Sequence, residues 1–318
     1  MPPTRTRPLV EAVLLAVLSL LLVLAGSWLP LLGLVALLLS PLPTLVATVR
    51  LGPRLGLASA TVAALASFLF AGPLGALATW LDLAAFGASM GWAWRSRRDA
   101  FWVIGAGALG MVATILVTLA VGRLLLGQDL LAQLRDQMLQ STRQAGSLLS
   151  AAGGVDARQA ENASRQLSSQ IELLFGQLLP TVVLAAGTGY ALLLLLVAGP
   201  MAGRLGLPRV ELPPFARWEL PSWSVGFLLV GLVLAWAGRG SQSFPAVAGA
   251  NLLLLAELLF LVGGLSFSYF WLRRWRLPRG LGAFVLALAV LNPYLSQALV
   301  WLGLFDSVVH LRRRVEVS

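Results

Sequence analysis

Residues 9–28 read LVEAVLLAVLSLLLVLAGSW, an apolar run interrupted by one charged side chain, Glu11. A helix of about 20 mostly apolar residues, rising about 1.5 Å per residue, crosses the roughly 30 Å hydrocarbon core of a bilayer. The run is longer than the apolar core of a secretory signal peptide, and no small-residue cleavage site follows it. The stretch therefore predicts a membrane-spanning helix near the N-terminus.

The rest of the chain repeats this pattern. Of its 318 residues, 58% are hydrophobic and 11% are charged, whereas soluble domains carry about 25% charged residues. A water-soluble globule is thereby excluded, and we predict an all-α, polytopic transmembrane helical bundle with eight spans. The seven further spans are expected at about residues 31–49, 55–71, 74–94, 101–126, 178–203, 222–237 and 246–272.

The C-terminal apolar stretch, about residues 281–309, is interrupted by Asn292-Pro293, and proline removes a helical hydrogen bond. As helix the stretch measures roughly 43 Å, too short for two full crossings. A single crossing would leave Arg312, Arg313 and Arg314 outside, against the usual enrichment of basic residues on the cytoplasmic side. Two arrangements stay open: one crossing, or a bend at Pro293 that returns the chain.

The basic residues give the orientation. All 23 are arginine, and the net charge is +10. With the N-terminus in the cytoplasm, 14 of them fall in cytoplasmic segments, whereas the short outer connections carry only Arg239. We therefore predict a multi-pass protein of the cytoplasmic (inner) membrane, with the lipid bilayer rather than nucleic acid as its partner. The 14 are Arg5, Arg7, Arg50, Arg54, Arg95, Arg97, Arg98, Arg204, Arg209, Arg217, Arg273, Arg274, Arg276 and Arg279.

Residues 128–177 differ from the spans. This segment has four arginines and five acidic residues, and its apolar residues recur at helical spacing, as at Leu130, Leu134 and Met138. Gly153-Gly154 interrupts the pattern, and Asp156 is suited to cap a second helix. We predict an extracytoplasmic helical hairpin between spans five and six, with a disordered loop as the alternative.

The residue types exclude much enzyme chemistry. The chain has no cysteine, no lysine and one histidine, His310. Thiolate catalysis, cysteine or multi-histidine metal sites and a lysine-containing ATP-binding loop are therefore absent. We expect no catalytic residues, no metal and no cofactor.

Two carboxyl groups lie inside predicted spans, where ionisable residues are costly and mark function more often than surface charges do. Asp82 is interpreted either as a ligand-contact or proton-linked carboxylate, or as a carboxyl that ties helices together, paired with an arginine such as Arg123. For Glu257 the alternative to a functional role is a protonated carboxyl group that its helix places against backbone groups. Asn251, Tyr190 and Gln297 are further intramembrane polar candidates, for which interhelical hydrogen bonds are the simpler interpretation. Near the C-terminal arginines, Asp306 and His310 are four residues apart and therefore share a helix face, which suggests a local ion pair.

Several motifs resemble the YybS-like family of bacterial membrane proteins. They are Pro41-Leu42-Pro43, the run Arg50-Leu-Gly-Pro-Arg-Leu-Gly56, the insertion between spans five and six, and the ending Gly303-Leu-Phe-Asp306-Ser-Val-Val-His-Leu-Arg-Arg-Arg314. The resemblance covers nearly the whole chain and implies a membrane protein, without an activity that could be carried over.

The first six spans also resemble the substrate-binding S components of energy-coupling-factor transporters. In that family a first-helix AxxxA motif contacts the membrane coupling subunit, and Ala12-Val-Leu-Leu-Ala16 matches it. The resemblance implies a ligand site in the outer half of the bundle. Its candidate residues here are Trp28, Trp80, Asp82, Arg123, Gln177 and Tyr190.

These expectations divide the chain into three parts. Residues 1–127 and 178–204 form an S-component-like six-helix bundle, residues 128–177 form the hairpin, and residues 205–318 form C-terminal membrane helices and a basic tail. The function expected first is small-molecule binding and uptake with a coupling subunit and ATPases as partners. The alternative is a membrane scaffold or regulator whose hairpin binds an envelope protein.

Overall fold

The structure, a computed structural model, describes residues 6–29, 32–96, 99–151, 156–239 and 243–312. These ranges are mainly helical and contain no strand, so the predicted all-α class is confirmed. Two π-helical segments, Asp82–Ala88 and Leu174–Leu178, interrupt the α-helices. The α-helices are α1 (Thr6–Trp28), α2 (Leu32–Leu39), α3 (Leu42–Leu51), α4 (Pro53–Leu81), α5 (Ser89–Arg95), α6 (Ala100–Leu125), α7 (Leu130–Ala151), α8 (Ala157–Leu173), α9 (Leu179–Ala202), α10 (Val225–Ala237), α11 (Phe244–Arg274), α12 (Arg279–Leu291) and α13 (Pro293–Val309).

The number of spans differs from the predicted eight. Six helical segments of the described chain are long and apolar enough to cross a membrane, or seven if the bent pair α12–α13 counts as one span. The segment expected at 222–237 is a shorter apolar helix and does not reach that length. The spans expected at 55–71 and 74–94 both lie within Pro53–Arg95, which the count of six takes as a single segment although it is kinked at Gly72.

That segment reverses direction at Gly72. The residue has φ 68° and ψ −172°, a conformation that glycine adopts without the steric penalty of a side chain. The indole Nε1 of Trp80 donates to Thr61 Oγ1 at 3.0 Å, whereas a straight helix would separate these residues by about 28 Å. The two sides of Gly72 therefore lie against each other as the antiparallel arms that the sequence predicted.

The chain divides into two compact units, Met1–Ile171 with Val182–Leu212, and Glu172–Thr181 with Pro213–Ser318. In the first unit, α1 packs on α4 through small residues: Ala16, Ala60 and Ala63 are fully buried and contact Leu83. A second cluster joins α3, α5, α6 and α9 around buried large side chains. Its largest members are Leu45, Phe86, Met90, Trp94, Leu194 and Leu195.

Three arginine-rich connections meet at one end of this unit. Arg50 at the end of α3 pairs with Glu11 near the start of α1, with Nε 3.0 Å from Oε1. Arg95 at the end of α5 donates to the carbonyl oxygen of Val49 at 2.7 Å. Trp94 Nε1 donates to the carbonyl oxygen of Pro208 at 2.7 Å. This clustering agrees with the positive-inside pattern; Arg5, Arg97 and Arg98 lie outside the described residues.

The hairpin is also confirmed as a helical feature. Helices α7 and α8 lie close together, because a Cβ placed on Gly146 would lie 3.3 Å from Ser164 Cβ. A cavity of about 280 Å³ opens between them, lined mainly by polar residues that include Arg143 and Glu161. The predicted break at Gly153-Gly154 lies outside the described residues.

In the second unit, α11 packs against α10 and α13. The crossing of α11 and α13 is close, because a Cβ on Gly264 would overlap the carbonyl oxygen of Leu299, and one on Gly303 would overlap that of Phe260. Glycines at such contacts let two helix backbones approach in a membrane protein.

Substitution of Gly264 is expected to separate these two helices. Gly264→Ala should destabilise the protein by about 1–3 kcal/mol, since the neighbouring atoms are backbone and cannot rotate away. Gly199→Ala is the matched control, because its Cβ would meet no atom within 4 Å. Thermal unfolding in detergent measures both variants. Equal unfolding midpoints for Gly264→Ala and Gly199→Ala would contradict the close crossing of α11 and α13.

The C-terminal stretch bends at Asn292-Pro293, as the second of the two arrangements given above requires. Helices α12 and α13 meet at an angle of 108°. Asn292 lies at the break, and its Oδ1 accepts from the backbone N–H groups of Tyr294 and Leu295 at 3.0 and 3.2 Å. The N–H groups that the break exposes are thereby satisfied.

The bend returns the chain to the arginine-rich end of α11. Arg312 is 3% exposed, and its Nε and Nη2 donate to Asp306 Oδ2 at 2.9 and 2.7 Å. Its remaining donors reach the carbonyl oxygens of Ala216 and Trp218 and the hydroxyl of Ser266. Arg312 therefore lies against α11 and the segment before α10, which agrees with a chain that returns at the bend; Arg313 and Arg314 are outside the described residues.

The pairing of Asp306 differs from the expectation. The ion pair forms with Arg312 and not with His310. The physical reason is the end of α13: His310 has φ 52° and ψ 49°, in the left-handed region. The chain therefore leaves the helix before position i+4, and the ring Nδ1 lies 3.3 Å from the carbonyl oxygen of Val308.

Candidate functional site

Two irregular backbone segments meet inside the first unit. The second predicted span is interrupted for two residues at Ser40-Pro41, between α2 and α3, although Leu32–Leu51 remains one helical segment of membrane length, and the first π-helix begins at Asp82. The contact is close, because a Cβ on Gly87 would lie 3.0 Å from the carbonyl oxygen of Pro41. Broken helices at membrane depth are tolerated where they are covered by protein or line a cavity. π-Helical turns also occur frequently at functional sites.

Asp82 lies at this junction. The Ser40 hydroxyl donates to Asp82 Oδ2 at 3.3 Å, and it also lies 2.8 Å from the carbonyl oxygen of Leu37. Ser40 is fully buried, and Asp82 is partly buried. Among the described residues, Asp82 forms no ion pair. Arg123 is exposed on α6, so the pairing of these two residues considered above does not occur.

An aromatic pair lies beside the carboxyl group. Tyr190 of α9 stacks on Phe86 of the π-helix, with ring centroids 4.3 Å apart and planes at 10°. Phe86 is fully buried and follows Asp82 by four residues. Sequence reasoning selected Tyr190 and missed Phe86, although its spacing from Asp82 was an available signal.

A column of buried hydroxyl groups continues from Ser40 along α3. Ser40, Thr44 and Thr48 recur every four residues, and each is fully buried. Ser19 of α1 joins this column, with its Oγ 3.4 Å from Thr44 Oγ1. The Thr48 hydroxyl donates to the carbonyl oxygen of Thr44 at 2.9 Å. The junction at Asp82 is therefore the end of a polar strip inside an apolar bundle, which the sequence analysis did not identify.

The other residues proposed for the ligand site are not gathered here. Trp28 is 75% exposed, and Trp80 bonds to Thr61 between the two arms of the segment that turns at Gly72. Gln177 belongs to the second unit, where its carbonyl oxygen accepts from Asn251 Nδ2 at 2.6 Å. Of the six candidates, the structure groups Asp82 and Tyr190 around the π-helix.

Asn251 forms an interhelical hydrogen-bond node. Its Oδ1 accepts from the backbone N–H and the hydroxyl of Thr181 at 3.1 and 2.9 Å. Its Nδ2 donates to the carbonyl oxygens of Gln177 and Val247. The second π-helix ends next to this contact, so Asn251 satisfies a carbonyl that the irregular turn leaves free. Both polar atoms of the Asn251 amide are thus hydrogen-bonded to neighbouring protein groups, as in an interhelical contact.

The two alanines of the AxxxA motif face the inside of the chain. Ala12 is 5% exposed and Ala16 is fully buried, and Ala16 contacts α4 through Ala60 and Ala63. This face of α1 is filled from within the first unit and presents no open groove to a partner helix.

Glu257 and Gln297 lie together in the second unit, where both line one cavity of about 210 Å³. The described residues contain no group of three or more acidic or histidine side chains that could hold a metal ion.

The junction at Asp82 brings together the two oxygens of one carboxyl group, the hydroxyl group of Ser40 and the stacked rings of Phe86 and Tyr190. Such a set can accept hydrogen bonds from a small ligand, attract a cation or carry a proton.

The comparisons with known proteins agree on the family. Residues 17–307 match a family described as "Predicted membrane protein (DUF2232)". "Uncharacterized protein YybS" of Bacillus subtilis (strain 168) is 25% identical over 319 residues, which cover 98% of this chain and 99% of that protein. No solved structure matches. The YybS-like resemblance is confirmed, and the likeness to S components stays a prediction. The chain therefore belongs to the DUF2232 family of predicted membrane proteins.

Proposed function

We propose that this integral membrane protein binds a small molecule at the Asp82 junction and takes part in its uptake, without catalysis of its own. One observation carries the proposal: a carboxyl group at the start of a π-helix contacts Ser40, where a second membrane helix is interrupted for two residues. Discontinuous helices with a polar group near the bilayer midplane are the usual construction of transporter binding sites. A carboxyl group used only for packing has no need of two helix irregularities.

The proposed orientation places the N-terminus in the cytoplasm and the ligand entrance outside. The clustering of Arg50, Arg95 and the 203–212 segment at one end supports the cytoplasmic (inner) membrane and this direction. Asp82 lies about 15 Å along the helix from the turn at Gly72 and about 20 Å from Arg95. The carboxyl group is thus nearer the outer end, where a ligand from outside would arrive.

A chain without a nucleotide-binding loop needs an external energy source. Under the S-component likeness, a coupling subunit and ATPases supply it. Because Ala12 and Ala16 are buried, we place no partner on that face of α1. The coupling surface is instead expected among the exposed apolar side chains of the spans.

Affinity purification from native membranes tests this uptake proposal. The tagged chain is expected to retain an ATPase and a second membrane subunit, identified by mass spectrometry. Asp82→Asn should retain them equally, because it alters the ligand site and leaves the outer surface unchanged. If neither subunit is recovered in mild detergent or in nanodiscs, the coupled-uptake proposal fails.

A second candidate function rests on the hairpin. Exposed apolar side chains follow both of its arms, including Leu134, Leu148 and Leu167, which are 50%, 70% and 51% exposed. This pattern favours a membrane scaffold or regulator that binds an envelope protein outside the membrane.

Changing Leu134, Leu148 and Leu167 to serine separates the two functions. The scaffold function predicts loss of cross-linking to an envelope protein, whereas the uptake function predicts unchanged capture of the ATPase. Gln133, Gln140 and Gln166, also exposed on α7 and α8, give the matched control when changed to alanine. Cross-linking that survives the serine changes would remove the scaffold function.

A further inference from the structure

A second intramembrane carboxyl group, Glu257, is not used by the Asp82 site. Glu257 lies near the middle of α11, about 20 Å from the first residue of that helix and about 26 Å from the last. An unpaired charge at such a depth is costly, and ionisable residues there usually face a partner or a cavity. The surroundings of this side chain therefore indicate what it does.

Glu257 has no protein partner in the part of the chain that the structure describes. No hydrogen bond or ion pair involves its carboxyl group, whereas Asp82 has Ser40 and Asp306 has Arg312. The side chain is also exposed at the surface of α11. It thus differs from a carboxyl group that ties helices together, which is the simpler interpretation of an intramembrane glutamate.

The carboxyl group opens into a groove formed by α10, α11 and α13. The cavity there measures about 210 Å³, and Glu257 and Gln297 are the two polar side chains among its lining residues. Trp301, which is 53% exposed, supplies aromatic surface, whereas Phe260 also lines the cavity but is 2% exposed. The remaining lining residues are Leu228, Leu253, Val300 and Leu304.

We infer that this groove binds a small lipophilic organic cation, such as an arylalkylammonium or a quaternary ammonium compound. Glu257 is its counter-ion, the Gln297 amide oxygen can accept from an ammonium N–H, and the exposed Trp301 ring attracts positive charge. The volume is below the 300–1,000 Å³ of typical pockets for drug-sized ligands, so the ligand is small. The exposed rim at Trp301 admits it from the lipid side.

Other ligand classes fit the groove less well. A Ca²⁺ or Mg²⁺ ion requires about six oxygen ligands, and the lining residues offer one carboxylate and one amide. An anion would be repelled by Glu257. A neutral apolar molecule would leave the carboxyl group without a partner. The site is independent of the Asp82 junction, and it would remain if the uptake proposal failed.

Binding of radiolabelled benzyltrimethylammonium to the full chain in nanodiscs tests the inference. This probe carries a permanent charge on a small aromatic framework, and neopentylbenzene is its neutral isostere. Wild-type protein is expected to bind the probe and to be competed poorly by the isostere. Glu257→Gln should weaken binding about tenfold or more, since it removes the charge and keeps the shape.

Two further variants assign the contacts. Trp301→Leu should weaken binding several-fold by removing the aromatic face, and Asp82→Asn should leave it unchanged. Thermal unfolding checks that each variant folds; Glu257→Gln is expected to be at least as stable as wild type, because no partner of the carboxyl group is lost. No saturable binding by the wild type, equal binding by Glu257→Gln, or equally strong competition by the isostere would each overturn the inference.

Discussion

Asp82→Asn is expected to abolish the biological function of the chain while leaving its fold intact. The amide has the shape of the carboxyl group and can still accept the hydrogen bond from Ser40. It cannot carry a negative charge or exchange a proton. Because burying a carboxyl group is unfavourable, the free energy of unfolding should be unchanged or higher by up to about 2 kcal/mol. Loss of function together with retained stability is the sign of a functional residue.

Growth competition and thermal unfolding together measure this effect. A strain carrying only Asp82→Asn should compete no better than a strain lacking the chain, although the variant reaches wild-type abundance in the membrane. Ser19→Ala is the control, since Ser19 belongs to the same buried polar strip and its hydroxyl group is hydrogen-bonded to Thr44 rather than to Asp82. A variant that competes like wild type, or one that unfolds before it loses function, would show that Asp82 serves packing.

Arg312→Ala is expected to cause the largest loss of stability in the second unit. The buried guanidinium donates to Asp306, to Ser266 and to two carbonyl oxygens of the segment before α10. Its removal leaves a buried carboxylate without its counter-charge, for which about 3–5 kcal/mol is typical. Arg312→Lys should restore little, because an ammonium group cannot reproduce the five donors of the planar guanidinium.

Proteolysis and thermal unfolding in detergent report this loss. Cleavage between residues 213 and 221 should become faster in Arg312→Ala, since that segment loses the bonds at Ala216 and Trp218. The paired change Arg312→Met with Asp306→Leu should recover much of the stability by replacing the ion pair with apolar contacts. Arg274→Ala, on the exposed surface of α11, is the control. Equal midpoints for Arg312→Ala and Arg274→Ala would contradict the role of Arg312.

The class of fold follows from composition, because every helix that faces lipid must be apolar along its length. Residues 9–28 and the arginine-rich connections are strong signals of this kind, and the hairpin is visible as helical spacing in a polar segment. The span count was less predictable. The 222–237 segment is apolar but short, and apolar composition alone does not set the length of a helix.

The candidate site was predictable only in part. Asp82 stands out as a charge within an apolar span, and Pro41 and Pro43 mark the interruption of the second span, whereas the contact between Ser40 and Asp82 joins residues 42 positions apart. The π-helix has no local sequence signal either. The partner of Asp306 was predicted wrongly for the same reason, because a left-handed residue at His310 redirects the chain and Arg312 forms the ion pair. A hydropathy pattern does not reveal hydrogen bonds between residues distant in the sequence, and it does not reveal the backbone conformation of an individual residue such as His310.

Native mass spectrometry of the chain released from native membranes tests the central claim most directly. Wild-type protein is expected to carry a bound small molecule whose mass is missing from Asp82→Asn, while Glu257→Gln retains it. That result would place the ligand at the junction of the π-helix and the broken second span. Identical spectra for wild type and Asp82→Asn would contradict the account.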